Sequence, residues 1–188
     1  MYKNCATNRS VARQRQLENA LLEAILARGY ANISIAELCD NALIPRKSFY
    51  RYFNGKEGAL YALIDHTLSD FTSALFPGGE LKAADTLTKF FSYWKTRSRF
   101  LDAIIKNDLI NLLLQRAIKL SLEEDVVAET LLKLHADVKK EYLVYFFVSG
   151  LLSLVFLWHN NGFKESPGEM AGTAMHLITR PIFSVMLP

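Results

Sequence analysis

Apolar side chains recur along this chain at the spacing of helix faces. Leu17, Leu21, Ala24, Ile25 and Arg28 fall at i, i+4, i+7, i+8 and i+11, a largely apolar stripe that Gly29 ends. The pattern predicts a helix over about 10–28. Ser34 with Glu37 three residues later has capping-box spacing and opens a short second helix, whose apolar positions are Ile35, Ala36, Leu38 and Cys39. Residues 41–44 read as a turn. Pro45 suits the start of a third helix, because its φ is already helical and its missing N–H is not needed there. That helix runs from Arg46 to about Tyr52, and Asn54 and Gly55 end it. Leu60, Leu63, Ile64, Leu68, Phe71 and Leu75 form the stripe of a fourth helix from near Lys56, broken by Phe76-Pro77-Gly78-Gly79. Further helices are expected at 81–96, 98–105, 107–120, 123–139, 140–160 and 167–184, the join near 139 being kinked or continuous. No internal repeat, strand-like alternation or low-complexity tract intervenes, so the predicted fold class is all-α.

Composition adds that the chain is globular. It has 188 residues, 51% of them apolar and 22% charged, which excludes a disordered or collagen-like chain. Cys5 and Cys39 by themselves cannot form a disulfide framework or a four-ligand zinc site, and a reducing, cytoplasmic setting is expected. Charge is uneven. Residues 1–56 hold nine Lys/Arg and four Asp/Glu, a net +5, whereas the remainder holds thirteen and fifteen, a net −2. A basic head on a mildly acidic body suits binding to a polyanion.

One stretch raises the question of a membrane. Tyr142 to Trp158 is seventeen residues without a charge, at the lower limit of the roughly 20 a spanning helix needs. The amphipathic helices elsewhere require a core to pack on, so the expectation is a helix buried on nearly all sides, in a bundle or dimer interface, and no membrane. The first residues lack the apolar core of a signal peptide.

Two short helices joined by a tight turn, the second crowded with basic and hydrogen-bonding side chains, match helix-turn-helix geometry. Such a second helix fits the major groove of DNA. Arg46 and Lys47 are the candidates for reading guanine, and Ser48 can donate or accept. Tyr50, Arg51 and Tyr52 can hold phosphates, while Ser34 and Lys56 stand at helix N-termini that favour a phosphate. Phe49 and Phe53 are expected to point inward as anchors. The structural alternatives are a simple cap at Ser34, packing roles for Tyr50 and Tyr52, and solvated surface charge for the basic residues.

At these residues the chain resembles the TetR family of bacterial transcriptional regulators. The resemblance runs through ISIAELCDNALIPRKSFYRYFNGKEGALYALI, with FYRYF and KEGAL most specific, and covers about residues 10–65. VSGLLSLVFLWHNNGFKESPGEMA, residues 148–171, is similar to the last two helices of one subgroup of the family. The chain departs from the family at three places. Leu43 stands where Gly is usual in the turn, and must avoid or tolerate positive φ. Pro45 stands where Ser is frequent, and Lys47 where Gly is frequent.

The resemblance implies a three-helix DNA-binding head over 1–55, a connecting helix over 56–76 and an effector-binding and dimerisation bundle over 77–188. It implies a repressor that binds a pseudo-palindromic double-stranded operator as a homodimer, through the helices near 140–160 and 167–184. Ser149, Gly150 and Ser153 permit close helix approach there. A small apolar or amphipathic effector would bind among the middle helices, with Phe90, Trp94, Phe100, Tyr142 and Phe146 as the candidate lining. The effector would act by favouring one tilt of the connecting helix. The rival reading is a co-regulator of the same fold whose body docks a partner protein, with DNA binding shared or lost. No cofactor and no enzyme activity are expected. His66, His135, His159 and His176 are scattered without metal-ligand spacing, and phosphate-binding glycine loops and a nucleophile elbow are missing from the sequence.

Overall fold

The computed structural model describes residues 2–3, 5–75, 83–123 and 137–179. The expected helix at 123–139 falls, but for its ends, outside them, as do the break at 76–79 and the last helix beyond 179. The described residues are helical apart from turns, caps and one isolated antiparallel bridge between Tyr2 and Phe53. The helices are α1 (Asn8–Arg28), α2 (Ile35–Asn41), α3 (Arg46–Tyr52), α4 (Lys56–Leu75), α5 (Ala83–Thr96), α6 (Ser98–Lys106), α7 (Ile110–Glu123), α8 (Lys140–Asn160) and α9 (Pro167–Thr179). A single 3-10 turn, Tyr30–Asn32, follows α1.

Local chemistry sets most boundaries. Helix α1 begins earlier than its apolar stripe, because Thr7 and Ser10 form a reciprocal capping box. Gly29 ends it at φ +78, where a Cβ would also press on the Asn107 side chain. At α2 the box is only half made. Ser34 Oγ accepts from the Glu37 amide at 3.2 Å, but the Glu37 carboxylate turns to pair with Arg28. The Ser166 and Glu169 pair ahead of α9 is reciprocal, with Ser166 N donating to Glu169 Oε2 at 2.6 Å and Glu169 N to Ser166 Oγ at 3.2 Å. Hydrogen bonding of the carboxylate to Ser166, by its backbone amide first and its side chain second, holds the Glu169 carboxyl below its usual pKa.

The chain divides into two compact units, residues 1–69 with 102–116, and residues 70–101 with 117–188. In the first, Leu17, Leu21, Leu38, Phe49, Phe53 and Ile64 are almost wholly buried. In the second, α9 packs on α5, and α8 packs on α5. Phe91 meets Trp158 edge-on at 5.7 Å, Trp158 meets Phe163 at 4.7 Å, and the Trp158 indole N–H donates to Glu165 O at 3.2 Å.

Helix α8 is only partly covered within one protomer, which leaves open the dimer-interface form of the expectation. By length and composition, at mean hydropathy 1.7, it could cross a membrane, yet it is not buried on nearly all sides; a third of its most apolar window is buried. Leu143, Val144, Leu152, Val155, Phe156 and Trp158 face the second unit. Tyr142, Tyr145, Phe146, Gly150, Ser153 and Leu157 are exposed. Phe146, Gly150, Ser153 and Leu157 recur at i, i+4, i+7 and i+11, so they line one face.

Candidate nucleic-acid interface

The turn between α2 and α3 is built around Leu43. It takes φ +52, the left-handed conformation that glycine adopts without penalty, and its side chain is 89% exposed. Its amide donates to Asp40 O at 3.1 Å, and that of Ile44 to Cys39 O at 3.0 Å. From α1, Gln16 Nε2 donates to Ala42 O at 2.8 Å and braces the turn. The tolerance of positive φ raised by the sequence is therefore what the backbone shows.

Pro45 caps α3 with extended ψ and leaves the helix to begin at Arg46. Over its seven residues α3 sorts its side chains cleanly. Phe49 is wholly buried and meets the Phe53 ring at 5.1 Å. Arg46, Lys47, Tyr50 and Arg51 are exposed, and Ser48 is half-buried. The Arg46 guanidinium lies 5.9 Å from the Tyr50 ring centroid and within 3.4 Å of its hydroxyl, so these two share one surface patch. No acidic residue occurs in α3. A free face of three cations and a phenol, backed by two buried aromatics, can donate hydrogen bonds to anionic oxygens and to base edges.

Three candidates sit differently. Tyr52 is buried and packs beside Phe53 at 6.2 Å, so the structure places it with the core rather than on the free face. Ser34 is exposed, and its oxygen already accepts the Glu37 amide, which leaves its O–H to donate. The Lys56 ammonium turns back on the 3-10 turn. It donates to Tyr30 O at 2.8 Å, Ile33 O at 3.0 Å and Ala31 O at 3.3 Å, and lies 4.6 Å from the Tyr30 ring centroid. The lysine thus fastens the α1–α2 connection to the start of α4.

Sequence reasoning missed the other residues that hold this region. Asn107, just past α6, accepts from the Tyr30 amide at 2.7 Å and donates to Ala103 O at 2.8 Å. Arg116 of α7 pairs with Asp65 of α4, with Nε on Oδ1 at 2.6 Å. Neither pairing has a local sequence signal, because the partners lie 77 and 51 residues apart.

The five effector candidates do not come together. Phe90, Trp94 and Phe100 are buried in one aromatic cluster with Phe71, the Phe71–Phe90 rings lying 5.5 Å apart and Trp94–Phe100 6.3 Å. The buried Trp94 indole N–H has no hydrogen-bond partner among the described residues. Tyr142 and Phe146 are instead exposed on α8, at 68% and 72%. A cleft of about 200 Å³ in the first unit, lined by Ile25, Leu26, Gly29, Asp102, Ala103, Lys106 and Asn107, includes none of the five.

Comparison with known proteins places this architecture. Residues 19–63 match the family model for bacterial regulatory proteins of the tetR family, and residues 82–180 match that for a transcriptional regulator C-terminal region. A search of curated proteins gives no match. Among solved structures, the chain is similar to the fatty acid degradation regulator FadR of Bacillus halodurans. The TM-score is 0.66 at 16% identity, over 96% of this chain and 98% of that one. FadR of Bacillus subtilis, solved in complex with stearoyl-CoA, gives 0.65 at 17% identity over 89% and 98%. A TetR-family regulator from Syntrophomonas wolfei gives 0.67 at 14% over 89% and 93%. At these identities the solved structures speak for the fold, and the two family models together span the head and the body. This chain belongs to the TetR family of transcriptional regulators.

Proposed function

We propose that the protein is a repressor that binds a pseudo-palindromic DNA operator as a homodimer in the cytoplasm, and that a small apolar or amphipathic molecule releases it. The observation that carries the reading is the sorting of α3, with Arg46, Lys47, Tyr50 and Arg51 exposed and Phe49 buried. In this reading α3 lies in the major groove, Arg46 and Lys47 meet base edges, and Ser34, Ser48, Tyr50 and Arg51 hold phosphates. Lys56 contributes by fixing the turn behind α2, and Tyr52 by packing.

The exposed face of α8 supports the dimer. Gly150 lies mid-helix, where glycine costs about 1 kcal/mol relative to alanine, yet a Cβ there would meet nothing within 4 Å. Among the described residues nothing requires glycine at that position. A second copy packed on Phe146, Gly150, Ser153 and Leu157 would, with α9 beside α8 in a four-helix contact. Two recognition helices would then meet successive major grooves about 34–36 Å apart. Tyr142 and Phe146 belong to this face and not to the effector site.

The aromatic cluster of Phe90, Trp94 and Phe100 supports an apolar effector, and the unpartnered Trp94 N–H suits an acceptor atom on it. The stearoyl-CoA bound by the Bacillus subtilis FadR is a ligand of that amphipathic kind.

The test is selection of genomic fragments by the purified protein beside an Arg46→Ala/Lys47→Ala double variant. Enrichment of one palindromic site, lost in the variant, is expected. Folded protein that enriches no site at low salt overturns the reading. It then favours the rival in which the α8 face docks a different protein, with binding that barely responds to salt.

A further inference from the structure

The segment ahead of α1 is tied down at several points. Tyr2 bridges Phe53, just past α3, and the Lys3 amide donates to Tyr52 O at 2.9 Å. Gln14 Nε2 of α1 donates to Lys3 O at 3.1 Å. The Tyr2 hydroxyl donates to Asp65 Oδ2 of α4 at 2.8 Å. Asp65 is 3% exposed and also receives the Arg116 guanidinium on both oxygens. The Tyr2 ring stands edge-on to His66 at 5.5 Å, and His66 Nδ1 lies 2.9 Å from the buried Glu18 carboxylate. Burial, with Asp65 beside it, pushes the Tyr2 hydroxyl well above its ordinary pKa and keeps it a donor.

We infer that Tyr2 is a positioning residue for DNA recognition, clasping the end of α3 to the Asp65–Arg116 pair without touching DNA. The inference rests on reading α3 as the recognition helix. Physical need supports it. At seven residues α3 is under two turns, too short to hold its shape by its own hydrogen bonds. Its last carbonyls have no partner inside the helix, and Lys3 supplies one for Tyr52. Phe49 and Phe53 fix the depth of α3 in the core. The bridge and the Lys3 bond hold its outgoing end, and the hydroxyl anchors both to a buried carboxylate. Hydrogen bonds to buried charged groups are among the stronger ones. A helix seated for only part of the time binds with its affinity reduced by that fraction.

The experiment uses Tyr2→Phe, which keeps the ring, the bridge and Lys3. The probes are a duplex recovered by the protein from a random-sequence pool and, as the non-specific control, a random-sequence duplex. Affinity for the selected duplex should fall measurably, by up to about tenfold as the seating equilibrium of α3 weakens, far below the melting temperature. Affinity for the random duplex and the slope of log affinity against log salt should not change, since no phosphate contact is lost. In the DNA-free protein, amide exchange at Phe53 and through α3 should quicken while that of the α1 core stays as in the parent. Unchanged α3 exchange and unchanged affinity overturn the inference. A reduced salt slope also overturns it, because Tyr2 would then be a direct phosphate contact. If the Arg46→Ala/Lys47→Ala variant binds DNA like the parent, the recognition-helix reading itself fails. The exchange result still decides whether Tyr2 holds α3.

Discussion

Leu43 gives the sharpest test of the reasoning that links this sequence to its turn. At φ +52 an L-residue pays about 1–2 kcal/mol that glycine does not. Opposing this, glycine has more freedom to lose on folding, by about 0.4–1 kcal/mol. The side chain is 89% exposed, so truncating it to a methyl removes little buried area, a few tenths of a kcal/mol at about 25 cal/mol per Å². Leu43→Ala should therefore be close to neutral. Leu43→Gly should be more stable than Leu43→Ala by about 0.5–1 kcal/mol. The sign is the informative part, because in a helix interior alanine exceeds glycine by about 1 kcal/mol. Urea unfolding of both variants at one fixed protein concentration measures it, since oligomerisation makes apparent stability concentration-dependent. In thermal melts the gap should be about 1–4 °C for a chain of this size. If Leu43→Ala proves the more stable of the two, the left-handed turn is not the conformation that the protein adopts.

Four further outcomes follow from the same contacts. Gly150→Leu should leave the helical circular dichroism unchanged, because no described residue lies within 4 Å of the added Cβ. The same variant should sediment as a monomer at concentrations where the parent is dimeric. Lys56→Met keeps the stem but strips the cation from the carbonyls of Tyr30, Ala31 and Ile33, and should cost about 1–3 kcal/mol in denaturant unfolding. Asn107→Ala leaves the Tyr30 amide without its acceptor and should cost about 1–2 kcal/mol, while Asn107→Asp, which still accepts, should cost less. Burial, with Glu57 and Tyr61 nearby, pushes the Tyr30 hydroxyl pKa from 10.0 up to about 12. The unfolded chain then loses this proton first, so the Tyr30 contribution is complete below pH 10 and declines as pH rises towards about 12. Tyr30→Phe should flatten that part of the stability–pH curve, measured as denaturation midpoints across the window.

What the sequence determined by itself was local in origin. Helical periodicity reports which neighbours three and four residues apart share a face, and so the start of α4 and both ends of α8 were legible. Caps are equally local, which is why Ser34 marked a start and Gly29 a stop. The Thr7 box was missed because polar residues fill the first turns of α1 and no apolar stripe points to it. The basic face of α3 was legible for the same reason, since Phe49 and Arg46, Lys47, Tyr50 and Arg51 divide at helix spacing. The tertiary structure alone decided which side of an apolar helix is covered. The exposed apolar positions of α8, Tyr142, Tyr145, Phe146 and Leu157, looked as buriable as Val144 or Trp158, because hydrophobicity does not say where the partner stands. It alone turned Lys56 onto three carbonyls, sent Tyr52 inward and separated Tyr142 and Phe146 from Trp94. It also joined Tyr2 to Asp65 across 63 residues and Tyr30 to Asn107 across 77. Such contacts depend on chain closure over long separations, and no spacing rule within one element encodes them.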